Sequence, residues 1–126
     1  MTLYATLLYY PAEGYWTTPE ELVFSPLYAD FGKAAEEARV LRGGSALHPA
    51  ESATTITVAD GPGGDVTVTD GPYAEAKEIL GGFYLVEAAD LDEAIRWAAR
   101  IPAAWRGKVE VRPVFAMSEV PGRAPA

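Results

Sequence analysis

Cysteine is absent from this chain. Disulfides, thiolate metal sites and cysteine nucleophiles are thereby excluded, although the absence assigns no redox compartment. Histidine occurs once, at His48. No His-Glu-x-x-His pattern or similar ligand spacing exists, so no metal is expected. Positive charge is scarce: 10 Lys and Arg stand against 18 Asp and Glu, a net charge of −8. Such a chain lacks the basic face that grips nucleic acid, and it suits an anionic membrane surface poorly. No apolar run approaches the ~20 residues that span a bilayer. No serine has nucleophile-elbow neighbours, and there is no Gly-x-x-x-x-Gly-Lys phosphate loop. No cofactor is expected. Met1-Thr2 leads straight into "LYATLLYY" without a basic stretch or a small-residue cleavage site. A secretory leader is therefore not expected, and the cytoplasm is the expected location.

What is present suits one globular domain. The chain has 126 residues, 49% of them hydrophobic and 22% charged, enough for a single core. The domain is expected over residues 1–116, followed by a mobile tail over 117–126. Leu3 to Tyr10 is rich in β-formers and reads as a buried first strand. Thr18-Pro19-Glu20-Glu21 has the cap, proline and acids of a helix start. Pro26 is expected to break or kink that segment. Leu27, Phe31, Ala34, Ala38 and Leu41 then recur at helical spacing, with Gly43-Gly44 as the expected stop.

Thr55–Ala59 and Val66–Thr69 alternate apolar with polar around the turn residues Asp60-Gly61-Pro62-Gly63-Gly64, which predicts a hairpin. "FYLVE" after Gly81-Gly82 is a further strand, and the glycine pair suits either a positive φ or a bulge. Asp90 and Glu93 form a capping box for a helix with Leu91, Ala94, Ile95, Ala98 and Ile101 as its apolar stripe. Lys108 to Phe115 is a last strand. The order gives an α+β, ferredoxin-like β-α-β-β-α-β plan with an extra hairpin. Both helices would cover one face of the sheet. Large residues on both sides of the first and last strands then predict a homodimer across the other face.

"VTDGPYAEAKEILGGFYLVEAADLDEAIRWAARIP" followed by "VEVRPV" resembles the YCII-related family, in particular the branch named for its Asp-Gly-Pro-Phe (DGPF) motif. Here the motif stands as Asp70-Gly71-Pro72-Tyr73, continued by Ala74, Glu75, Lys77 and Glu78. The likeness runs from about Leu3 to Phe115, with tyrosine where the motif usually has phenylalanine. The resemblance implies a dimeric α/β barrel. It also implies a link to extracytoplasmic-function sigma factors, beside which bacterial members are often encoded, and enzyme activity resting on a His–Asp pair.

The residues leave several roles open. Asp70 and His48 could form a general acid–base pair acting on a small metabolite, in the manner of a cofactor-free lyase or isomerase. Asp70 could equally open an Asx-type turn, with His48 an ordinary loop residue. Tyr73, Lys77, Glu75 and Tyr84 could meet a ligand in a cleft, or serve packing and solvated ion pairs. An enzyme and a non-enzymatic binding or regulatory dimer are both consistent with this pattern.

Overall fold

A computed structural model describes residues 1–12, 26–71, 77–119 and 121–122. Among these residues six strands and three helices follow in chain order. They are β1 (Thr2–Pro11), α1 (Pro26–Glu37), β2 (Leu41–Ala46), β3 (Thr54–Val58), β4 (Val66–Asp70), β5 (Glu78–Ala88), α2 (Leu91–Ala98), α3 (Ala103–Arg106) and β6 (Lys108–Pro113). The order β2-β5-β1-β6 makes a four-stranded sheet, antiparallel throughout. β3 and β4 form a separate hairpin inserted between the second and third strands of that sheet. This is the expected ferredoxin-like α+β plan with an extra hairpin. The helix start at Thr18-Pro19 lies outside the described residues.

β1 is the spine of the sheet. Its β-branched and aromatic residues suit a pleated, buried surface. Tyr4, Thr6 and Leu8 are buried, while Leu3, Ala5 and Leu7 on the opposite side are half-buried. The hydroxyl of fully buried Thr6 donates to the Tyr84 carbonyl at 3.0 Å, which satisfies this buried polar side chain. Register places Val86 beside Tyr4 and Gly82 beside Leu8. All three helices pack on this same face. Tyr28, Phe31 and Ala35 of α1 join Leu8, Val86 and Ile101 in one core cluster, and Ala94 of α2 joins Tyr4 and Ala88 in a second.

Pro26 opens α1, and the segment before it, which it was expected to break or kink, lies outside the described residues. A proline is well placed at the first helical position, where its missing N–H would have no partner and its φ is already helical. The buried stripe is Tyr28, Phe31 and Ala35, not Leu27, Ala34, Ala38 and Leu41. The helix also stops earlier than Gly43-Gly44. The Arg39 N–H donates to the Glu36 carbonyl, and the Val40 N–H donates to that of Ala35. With Arg39 at φ 59°, this is a Schellman ending in which arginine takes the place usually held by glycine, and buried Val40 meets buried Ala35. Gly43 and Gly44 then belong to β2.

The glycine pair Gly81-Gly82 lies within β5. Pairing jumps from Leu8 with Gly82 to Tyr9 with Leu80, so Gly81 is the extra residue of a β-bulge. Neither glycine has a positive φ. Asp90 caps α2 as expected, accepting from the Glu93 N–H at 2.9 Å. Only Ala94, Ala98 and Ile101 of the expected stripe are buried; Leu91 and Ile95 are about half exposed. Among the described residues no helix is long and apolar enough to cross a membrane.

Candidate functional site

On the helix-covered face, the sheet loses its large side chains toward one end. Gly44 and Ala46 of β2, Gly82 of β5 and Leu8 of β1 follow one another across three strands. Tyr28, in the first turn of α1, and Tyr84 of β5 stand over this low ground. Between them is a cavity of ≈ 230 Å³. Ser45 and the neighbouring backbone complete its lining.

Two close approaches keep the floor flat. A Cβ on Gly44 would sit 2.6 Å from the Phe83 carbonyl oxygen and 2.8 Å from the Tyr84 ring. One on Gly82 would sit 2.7 Å from the Ser45 carbonyl oxygen. Real Cβ atoms do not occupy such positions, so glycine is imposed by the way β2 and β5 pack. The ring of Tyr84 is held from behind by Phe31, with centroids 4.9 Å apart, and Trp97 meets the far side of Phe31 edge-on at 6.3 Å.

The electrostatics of the cavity are those of two phenols. Burial raises the pKa of Tyr84 above the ordinary phenol value. Tyr28 is pushed up further, first by burial and then by the Tyr84 phenol; the Ala103 N–H and the Arg106 guanidinium act more weakly in the lowering sense. Loss of water disfavours the phenolate because a charged oxygen keeps less of its hydration there. Both groups are therefore neutral hydroxyls near pH 7, each able to donate and accept a hydrogen bond.

The sequence candidates fall in different places. Tyr84 lines the cavity. His48 is exposed and lies two residues beyond Ala46, in a link tethered by the Leu47 N–H to the Gly81 carbonyl at 2.9 Å. Asp70 is the last residue of β4 and is exposed. Its neighbour Gly71 is tied to the hairpin. Gly71 has φ 103°, its N–H donates to the Ala53 carbonyl, and its own carbonyl accepts from Thr55 Oγ1 at 2.9 Å. Lys77 is exposed, and its carbonyl accepts from the Ala12 N–H. Tyr73 and Glu75 lie outside the described residues. Among the described residues no hydrogen bond or ion pair joins His48 to Asp70, and no group of three His, Cys, Asp or Glu is placed to hold a metal ion.

Tyr28 was missed by sequence reasoning. A helical stripe phased from Tyr28 instead of Leu27 would have found it, since Tyr28, Phe31 and Ala35 are spaced three and four apart. Near the open end of the sheet, burial and then the Glu51 carboxylate raise the Tyr10 pKa. The short turn Ala50–Ser52 therefore lies close to the last residues of β1.

The fold defines a ferredoxin-like α+β protein whose cavity is bounded by a helix start and a glycine-rich sheet end. The model of the YCII-related domain matches residues 7–118, most of the described body. An uncharacterised protein of Rhizobium meliloti (strain 1021) is 37% identical over 101 residues, which cover 79% of this chain and 72% of that protein. The chain belongs to the YCII-related domain family.

Proposed function

We propose that this protein binds a small molecule in the cavity between α1 and the sheet, and that it does so as a homodimer. The observation that carries the reading is the ≈ 230 Å³ cavity itself, apolar in most of its lining and bordered by Tyr84 as a polar handle. Ligand sites combine these features: concavity, apolar walls and a few fixed polar groups. Binding is favoured over proton transfer because the titratable groups on the cavity are phenols whose pKa values move upward. A general base working near pH 7 needs the opposite. The homodimer is supported by the face of the sheet that none of the described helices covers. Leu3 and Leu7 of β1 lie beside Glu87 and Phe83 of β5 there, with Leu85 next to Ala5, and two copies could bury this row against each other.

A thermal-shift screen of small metabolites tests the binding reading. A true ligand at a hundred times its Kd should raise Tm by about 5 °C or more. The gain should vanish in Ala46→Phe, whose ring would occupy the cavity, provided circular dichroism shows the fold retained. Ligands that stabilise both proteins equally would refute the cavity as the site. Sedimentation velocity at micromolar concentration tests the dimer, and a monomer there would refute it.

A further inference from the structure

We infer that the cavity selects an uncharged aromatic compound of about nine heavy atoms bearing one hydroxyl or carbonyl group, with Tyr84 as its hydrogen-bonding partner. This rests on the proposed binding function and narrows it to a ligand class. Size comes from volume. A cavity of about 150 Å³ takes benzene, with six heavy atoms, so ≈ 230 Å³ scales to about nine.

Shape comes from the floor. Gly44 and Gly82 cannot carry a Cβ, so they present bare backbone, and a flat molecule can lie closer to it than a puckered one. The tyrosine rings of residues 28 and 84 supply aromatic walls, which favour an aromatic guest through offset or edge contacts.

Charge comes from the lining. Its described residues are Leu, Tyr, Gly, Ser, Ala and Phe, with no acid, base or histidine among them. An ionised group placed there would lose water and gain no counter-charge. A neutral hydroxyl or carbonyl would instead meet a phenol that both donates and accepts. Tyr84 is suited to this because Phe31 fixes its ring, so little freedom is lost on binding. Tyr28 stands across from it as the second aromatic wall.

The test is a ligand-observed NMR titration of the full chain with four probes: p-cresol, toluene, 4-methylcyclohexanol and benzoate. The expected order has p-cresol tightest, with each of the others at least fivefold weaker. Tyr84→Phe should weaken p-cresol about five- to tenfold and leave toluene within twofold. Benzoate or 4-methylcyclohexanol binding as tightly as p-cresol would overturn the ligand class, as would a p-cresol to toluene ratio unchanged by Tyr84→Phe. The wild-type ranking decides the class even where the variant does not fold. Failure of the underlying function looks different: none of the four probes binds, or all bind Ala46→Phe as well as they bind the wild type.

Discussion

The four-stranded sheet and the β3–β4 hairpin use similar residues to opposite ends. Both are antiparallel and rich in β-branched side chains. In the sheet, Val86 and Ala88 are fully buried under helices. In the hairpin, cross-strand register sets Ile56 beside Val68 and Val58 beside Val66 on one face, with Thr55, Thr57, Thr67 and Thr69 on the other. The apolar four are all exposed, three of them by more than 60%. Alternation alone therefore makes the strand, and burial depends on whether a second layer is present. An isolated two-stranded hairpin is marginal in water, so most of the stability belongs to the sheet and its helices.

The largest expected contrast is between two isoleucines. Ile101→Ala, at a fully buried position, should cost about 2–5 kcal/mol in denaturant unfolding. Ile56→Ala in the hairpin should stay within about 0.5 kcal/mol. A comparable cost at Ile56 would break the comparison and show that its face is covered in solution. Next comes the packing of β2 on β5. Gly82→Ala places a Cβ 2.7 Å from the Ser45 carbonyl oxygen, and a shift of either strand should cost about 1–3 kcal/mol.

A smaller effect of opposite sign separates the two regions at matched backbone. Arg39 and Asp60 both have φ 59°. Arginine has no local compensation for that conformation, whereas aspartate tolerates it. Arg39→Gly should stabilise by about 0.5–1 kcal/mol, and Asp60→Gly should do little, both read from urea midpoints.

The subtlest expectation is alkaline. Tyr10, Tyr28 and Tyr84 have raised pKa values, all in the body of the fold. The unfolded chain releases these protons at the ordinary phenol value of 10.0, before the folded one does. Their contribution is therefore complete below pH 10 and is lost as pH rises through the folded values. Tyr28→Phe should flatten the fall in unfolding free energy between pH 9 and pH 11. An unchanged slope would count against the burial of this phenol.

Legibility in the sequence followed chemistry. β1, the hairpin and β6 were readable because their residues are strand formers with clean alternation. β2 was not, since "LRGGSA" has almost no β-formers and its two glycines look like a helix stop. Those glycines answer to the neighbouring strand, which no local pattern records. The stripe of α2 was half readable: Leu91 and Ile95 have helical spacing, yet the face they mark is only partly covered. Of the candidate site, Tyr84 was visible as one aromatic in a strand, while its companion Tyr28 was hidden by a stripe phased one residue early. His48 and Asp70 were singled out by type and motif, and neither feature reports solvent exposure.

One residue governs the parity of β5. Because Gly81 is counted on one strand and skipped on the other, the odd–even rule of the strand inverts across it. On the Gly82 side, even-numbered residues look toward the helices; on the other side, odd-numbered ones do. Glu78 consequently emerges on the same side as Lys108, whose ammonium donates to its Oε1 at 2.7 Å. Pairing that glycine regularly with Tyr9, so that no residue is skipped, would restore strict alternation. Leu80 and Glu78 would then rotate toward the helices, Ile79 would rotate away, and the ion pair would be parted by the thickness of the sheet, although neither of its members had been changed.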